Sequence, residues 1–152
     1  TMATTTIRVG EADFSVSDEL AKLNDQADCG AVVSFLGVVR RANEGEAVYA
    51  MTLEHYPAMT EKALAGIVER ARARWQLGDI TVIHRVGRLL PGDQIVLVAV
   101  AASHRGEAFQ ACEFIMDWLK TEAPFWKKEE TPDGARWVDA RVSDDEAKRR
   151  WE

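Results

Sequence analysis

The side chains best suited to chemistry crowd into residues 103–130, SHRGEAFQACEFIMDWLKTEAPFWKKEE, with His104 and Arg105 at the start, Lys120 within, and Lys127, Lys128 and Glu129 at the end. Grouped cations hold phosphates and carboxylates and stabilise negative charge as it develops. Acid/base or electrostatic chemistry on an anionic substrate is what such a stretch could do. Lys127 follows Phe125 and Trp126, which can shield it from water. The plainer reading is that Lys127 and Lys128 simply alternate along a strand, one inward and one solvated.

A helix must carry most of this stretch. Ser103 follows an apolar strand and offers an N-cap hydroxyl, and Ala108, Cys112, Ile115 and Leu119 recur at helical spacing. Pro124 pushes Ala123 out of the α region, so the helix is expected to end near Lys120 or Thr121. Lys120 suits the negative end of the helix dipole, whereas His104 and Arg105 oppose the positive end. Free N–H groups, an imidazole and a guanidinium at one point make a receptor for phosphate or carboxylate. From the dipeptide alone, a solvated arginine and a part-buried histidine are the commoner case. A rise of about 1.5 Å per residue separates His104 from Lys120 by roughly 24 Å. One small substrate cannot easily touch both, so either they serve different sites or two chains pair about a two-fold axis into a composite site.

The chain has 152 residues, 47% hydrophobic and 29% charged, which fits one domain over residues 1–152 with 1–6 and 143–152 peripheral. It shows no apolar run of membrane-spanning length and no signal-peptide pattern, so the cytoplasm is the expected compartment. A net charge of −6 argues against a general nucleic-acid surface. Cys29 and Cys112 read as small core residues.

Residues 7–9 and 14–16 read as short strands, with Ser17 capping a brief helix to about Leu23. AVVSFLGVVR, residues 31–40, has the continuous apolar character of a buried strand and is expected to pair with residues 47–55 across a long polar loop. Arg40 then lies at a rim where binding groups are common. Thr60 opens an amphipathic helix with Ala63, Leu64, Ile67, Val68, Ala71 and Trp75 on one face and Gly78 as its stop. Residues 80–86 and 94–102 read as strands joined through a Pro91-Gly92 turn, and residues 125–129 and 135–140 as a hairpin around Thr131-Pro132-Asp133-Gly134. The charged tail is a short helix or disordered. These alternations indicate an α+β domain with a mixed, largely antiparallel sheet, packed helices and an additional C-terminal β-hairpin.

His55, His84 and His104 are scattered and form no metal-ligand pattern with the cysteines, and no Gly-rich phosphate loop, nucleophile elbow or dinucleotide fingerprint is present. No metal and no cofactor is expected. The chemistry must rest on Arg, Lys and His, or on a group supplied from outside.

From about Gly30 to Arg141 the ordered motifs GVVR, TLEHYPAMTEKAL, VIHRVGRLLPGD, SHR, FIMDWLKTEAPFWKKE and WVDAR resemble the large, catalytic subunit of molybdopterin synthase. The resemblance implies a hammerhead-like fold and sulfur transfer to cyclic pyranopterin monophosphate, building the dithiolene of molybdopterin. The sulfur arrives as a C-terminal thiocarboxylate on a small ubiquitin-like subunit, in a heterotetramer built on a homodimer of large subunits. It implies that Arg40, His104 and Arg105 grip the pterin phosphate. Lys120 and Lys127 become the catalytic lysines, polarising the thiocarboxylate and assisting proton transfer. Lys127, Lys128 and Glu129 share the pocket wall with Val38, Val39 and Arg40, and Arg141 is a further anion contact. Val38 departs from the polar or basic residue expected there, leaving at most a backbone contact.

Two other readings compete. One is a non-enzymatic module that binds a ubiquitin-like tail or another anionic ligand, without turnover. The other is a nucleotide- or phosphosugar-binding enzyme that needs no protein partner.

Overall fold

The computed structural model describes residues 3–43, 45–138 and 142–151. Its elements run β1 (Thr5–Gly10), α1 (Val16–Leu23), β2 (Ala31–Val38), β3 (Ala42–Asn43), β4 (Glu46–Ala47), β5 (Ala50–His55), α2 (Met59–Arg74) and β6 (Ile80–Arg85). Then follow β7 (Gly87–Leu89), β8 (Gln94–Ala102), α3 (Arg105–Glu122), β9 (Phe125–Thr131), β10 (Gly134–Val138) and α4 (Val142–Arg149). The α+β, largely antiparallel arrangement forms, divided over two four-stranded sheets. The first has the order β1-β6-β8-β2, with only the β1–β6 pair parallel; the second, β10-β9-β5-β7, is antiparallel throughout.

Strand β8 is the spine of the first sheet because its side chains are apolar on both faces. Val96, Val98 and Val100 pack against Leu64, Ile67, Val68 and Ala71 of α2 and Ala111, Cys112, Ile115 and Leu119 of α3. The small Ala99 and Ala101 on the other face let Leu23 of α1 approach. Each fully buried valine or leucine here contributes about 1.5–3 kcal/mol. The second sheet buries Met51, Leu53 and Leu89 with Val39, and Ile95 packs against both cores.

Several expectations are corrected. Residues 14–16 form no strand: Ser15, not Ser17, caps α1, its hydroxyl accepting the Asp18 N–H at 3.3 Å. Strand β2 is not buried on both faces. It pairs only with β8, at the sheet edge, leaving Phe35, Leu36 and Val38 exposed. A continuous apolar run reads alike in an edge strand and a central one. Nor does β2 pair with β5, because after Val39 the chain leaves the first sheet and β5 joins β7 and β9 in the second. Helix α2 stops at Trp75, ahead of Gly78.

The two ends of the described chain are also held. The Arg72 guanidinium donates to Thr4 O at 3.2 Å, Thr5 Oγ1 at 2.9 Å and Gly78 O at 2.9 Å, pinning β1 beside the end of α2. Trp151 stacks edge-on against Trp75 and Phe114, and its Nε1 donates to Asp117 Oδ2 at 2.7 Å. Thr4, Thr5 and Trp151, in the stretches expected to be peripheral, carry these contacts.

Ala58, ahead of α2, has φ 67° and ψ −47°, and the Met59 N–H closes back on Pro57 O at 2.8 Å. That tight three-residue turn strains any residue with a Cβ. Ala58→Gly should therefore stabilise the fold by about 1 kcal/mol, after the glycine's extra unfolded-state entropy is subtracted. Urea denaturation of the two proteins measures it.

Candidate functional site

Helix α3 begins one residue later than the serine pattern implies. His104 is the N-cap residue and makes no side-chain capping bond, so Ser103 does not cap and the first-turn N–H groups are left without a side-chain acceptor from that position. Gly30 lies against the same turn: its N–H donates to Ala102 O at 2.9 Å, and a Cβ there would stand 2.1 Å from Ser103 O. The backbone beneath His104 and Arg105 is thus fixed by a close approach only glycine permits. Both side chains are exposed, with His104 Nδ1 3.7 Å from Glu107 Oε1.

At the other end α3 runs to Glu122, the Ala123 N–H still reaching Leu119 O at 3.4 Å before Pro124 stops it. Phe125 then opens β9 and joins the ends of the two sheets. Its ring stacks on His84 of β6, centroids 3.9 Å apart and planes 21° from parallel, and lies 6.2 Å from His55, its cross-strand partner. Lys120 lies within electrostatic reach of the same imidazole. Lys127, two residues beyond Phe125 and opposite Leu53, shares Phe125's face of β9 and is half-buried. Lys128 takes the other face, its Nζ 5.5 Å from the Trp137 ring centroid. The two lysines alternate faces as expected, but both are half-buried, so neither is simply solvated.

His84 is buried and its Nδ1 is 2.9 Å from the Arg85 carbonyl oxygen, which can only accept. The hydrogen therefore sits on Nδ1. Burial above all, with the Lys120 and His55 charges adding to it against the Arg85 carbonyl, pushes this histidine down to about 4. His84 and His55 carried no sequence signal beyond being lone histidines near strand ends. The one available clue was parity: His84 falls on the inward register of Ile80 and Val82.

The remaining expected residues fall around these two ends. Val39 is buried, its N–H donating to Asp93 O and its carbonyl accepting from Gly92 N–H, each at 2.9 Å. Val38 is exposed at an irregularity in the β2–β8 register, and Arg40 is exposed just beyond. Glu129 is buried and accepts from Asn43 Nδ2 at 3.0 and 3.2 Å. Arg141 lies outside the described residues. Among the described residues Arg40, Arg105 and Lys127 form no ion pair, whereas Arg8, Arg88, Arg136 and Arg150 each hold a carboxylate. Within one chain Arg105 and Lys120 stay about 22 Å apart along α3. Cys112 is buried, burial pushing its thiol up to about 11, and its Sγ faces Val98 O. No helix among the described residues is long and apolar enough to cross a membrane.

The family model described as MoaE protein matches residues 9–122. The chain belongs to the MoaE family. It is 65% identical over 147 residues to the molybdopterin synthase catalytic subunit of Ralstonia nicotianae, covering 96% of this chain and 84% of that one. With the Escherichia coli subunit of the same name it shares 59% over 150 residues, 99% of this chain and 100% of the other. The solved structure of the molybdopterin biosynthesis MoaE protein from Burkholderia ambifaria superposes with a TM-score of 0.83 at 57% identity, covering 97% and 98% of the two chains. The chain is thus an enzyme component of molybdenum cofactor biosynthesis.

The buried imidazole generates a pH prediction. The unfolded chain takes up this proton near 6.5 and the folded chain only near 4, so the contribution is complete above about pH 6.5 and is lost as pH falls toward 4. The full loss is about 3 kcal/mol. His84→Phe keeps an aromatic face against Phe125 and cannot titrate. Its unfolding free energy should fall less than the wild type's between pH 7 and pH 4, by about that amount. Urea titrations at several pH values provide the comparison, and parallel curves would refute it.

Proposed function

We propose that the chain is the catalytic subunit that converts cyclic pyranopterin monophosphate to molybdopterin, with sulfur delivered by the C-terminal thiocarboxylate of a small ubiquitin-like subunit. The observation that carries this is identity of 59% to 65% with molybdopterin synthase catalytic subunits over nearly the whole chain. The geometry supports it. Lys120 and Lys127 flank one aromatic joint, and an ammonium beside a partly dry wall stabilises a developing oxyanion more strongly than in water. The donor and substrate are both anions, which suits a site of cations, and a thiol buried like that of Cys112 is not needed when the partner brings the sulfur.

In this reading Arg40, His104 and Arg105 hold the phosphate, with Arg141 as a further contact, and Lys120 and Lys127 act on the thiocarboxylate. Because α3 keeps Arg105 and Lys120 apart, each site is composite: His104 and Arg105 of one copy meet Lys120 and Lys127 of a second across a two-fold axis. The exposed apolar edge of Phe35, Leu36 and Val38, with Phe109 of the neighbouring α3 also exposed, supports a second copy as its cover. Two small subunits complete a heterotetramer, each sending its tail into one pocket. The cytoplasm is the proposed compartment.

The decisive experiment combines the chain, a thiocarboxylated small subunit and cyclic pyranopterin monophosphate and follows the dithiolene product by mass. Product that needs all three components supports the synthase; none, with partner bound and substrate intact, leaves a binding module. Lys120→Ala and Lys127→Ala should each lower turnover about a hundredfold or more while partner affinity changes little. Mixing Arg105→Ala with Lys127→Ala chains should restore about a quarter of wild-type activity after exchange. Half the dimers are then mixed, each with one intact site of two. No recovery despite verified exchange would mean that each site lies within one chain.

A further inference from the structure

Just after Arg40 and Arg41 the chain makes the short β3–β4 hairpin, and that hairpin is bolted to the lysine strand. Its paired residues Asn43 and Glu46 meet the paired residues Glu129 of β9 and Arg136 of β10. Asn43 Nδ2 donates to both Glu129 oxygens, at 3.0 and 3.2 Å. The Arg136 guanidinium donates to Glu46 Oε2 at 2.8 Å and lies 3.8 Å from Glu129 Oε1. These side-chain contacts, with the backbone pairing of Asn43 and Glu46, close a ring between two hairpins that are far apart in sequence.

Asn43 and Glu129 are 7% and 4% exposed, so this is an interior contact. A buried carboxylate is tolerated only where donors satisfy it, and removing one donor leaves the charge uncompensated. Glu129 shares its face of β9 with Lys127, two residues away. On the hairpin side, Arg40 to Ala42 is bracketed by two fixed points: Val39, locked to Asp93 and Gly92, and Asn43. Both oxygens of Glu129 are turned to Asn43.

We propose that Asn43 and Glu129 are positioning residues that fix the Arg40 guanidinium relative to Lys127, making the anion grip and the lysine one rigid unit. Glu129 acts through Asn43 and not on the substrate. The inference rests on the roles proposed above for Arg40 and Lys127, and it extends them to residues that touch no reactant.

The test exchanges donor and acceptor. Asn43→Asp sets two carboxylates against each other and should open the hairpin, while Glu129→Gln with Asn43→Asp reverses the bond and should close it again. For Asn43→Asp the Kd and KM for cyclic pyranopterin monophosphate should rise about tenfold or more with a smaller change in kcat, and the double variant should return to within about threefold of wild type. Hydrogen exchange of the Val48 amide, bonded to Arg41 O, and the Tyr49 amide, bonded to Glu130 O, reads the hairpin's attachment without turnover. It should quicken in the single variant and recover in the double. Unchanged substrate affinity despite faster exchange would overturn the proposal, as would unchanged exchange or a double variant no better than the single. Should Asn43→Asp fail to fold, Asn43→Ser, which withdraws the amide without adding charge, is judged by the same criteria. A wild type that binds substrate without turnover defeats the synthase reading and leaves the Kd comparison standing.

Discussion

The stack of Phe125 on His84 is the contact on which the geometry of the molecule turns. Phe125 is the first residue of β9 after Pro124 has ended α3, and His84 stands at the end of β6, so one pair of rings joins helix, first sheet and second sheet. Lys120 precedes that joint by little more than a helical turn and Lys127 follows it on the same strand face. The joint has to be neutral. A protonated imidazole over the Phe125 ring would gain up to about 2 kcal/mol. Burial and the nearby Lys120 charge oppose it by more, since a histidine pushed down to about 4 from 6.5 is disfavoured as a cation by roughly 3 kcal/mol. A neutral ring packs there without adding a charge beside the lysines proposed to hold anions.

Around that joint the charges divide into two populations. The chain carries 19 Lys and Arg against 25 Asp and Glu, so its cations are outnumbered. Those with structural work are paired: Arg8 with Glu19, Arg88 with Glu130, Arg150 with Glu113 and Asp117. Arg72 is spent on backbone carbonyls and a threonine hydroxyl. Arg40, Arg105 and Lys127 hold no carboxylate among the described residues; they lie just past the end of β2, at the start of α3 and on β9. Were the proposed two-fold pairing to bring such cations together, their repulsion would be relieved by an anion entering between them.

The sequence made some of this readable and hid the rest for definite reasons. The proline stop, the 3.6-residue stripe of α3, the Thr131 to Gly134 hairpin and the alternation of Lys127 with Lys128 are local, and local chemistry fixes them. The edge position of β2 was hidden because apolar composition reports burial of some kind and not the number of hydrogen-bonded neighbours. Ser15 won the cap from Ser17 through a single hydroxyl contact that either spacing allowed. His84 could not be picked out because an imidazole's role depends on what lies over it, and Phe125 is distant in the chain. The Asn43 to Glu129 contact was invisible for the same reason, and family likeness alone assigned Glu129 to the pocket wall without its buried partner.

The length of α3 links these threads. Its 18 residues span about 27 Å, too far for a single pterin phosphate to bridge. In the composite arrangement proposed above, the N-terminus of one α3 faces the C-terminal lysine of another, which brings His104 and Arg105 close to Lys120 and Lys127. Three cations, Arg105, Lys120 and Lys127, would then share one space and repel one another until a phosphate and a carboxylate enter. Any anion that binds there lowers that repulsion, and whatever relieves repulsion across an interface strengthens the interface by the same free energy. Substrate affinity and subunit association are then one coupled quantity. In that arrangement the exposed apolar edge of β2 would supply an attraction that does not depend on the ligand, letting the pair persist while the site is empty.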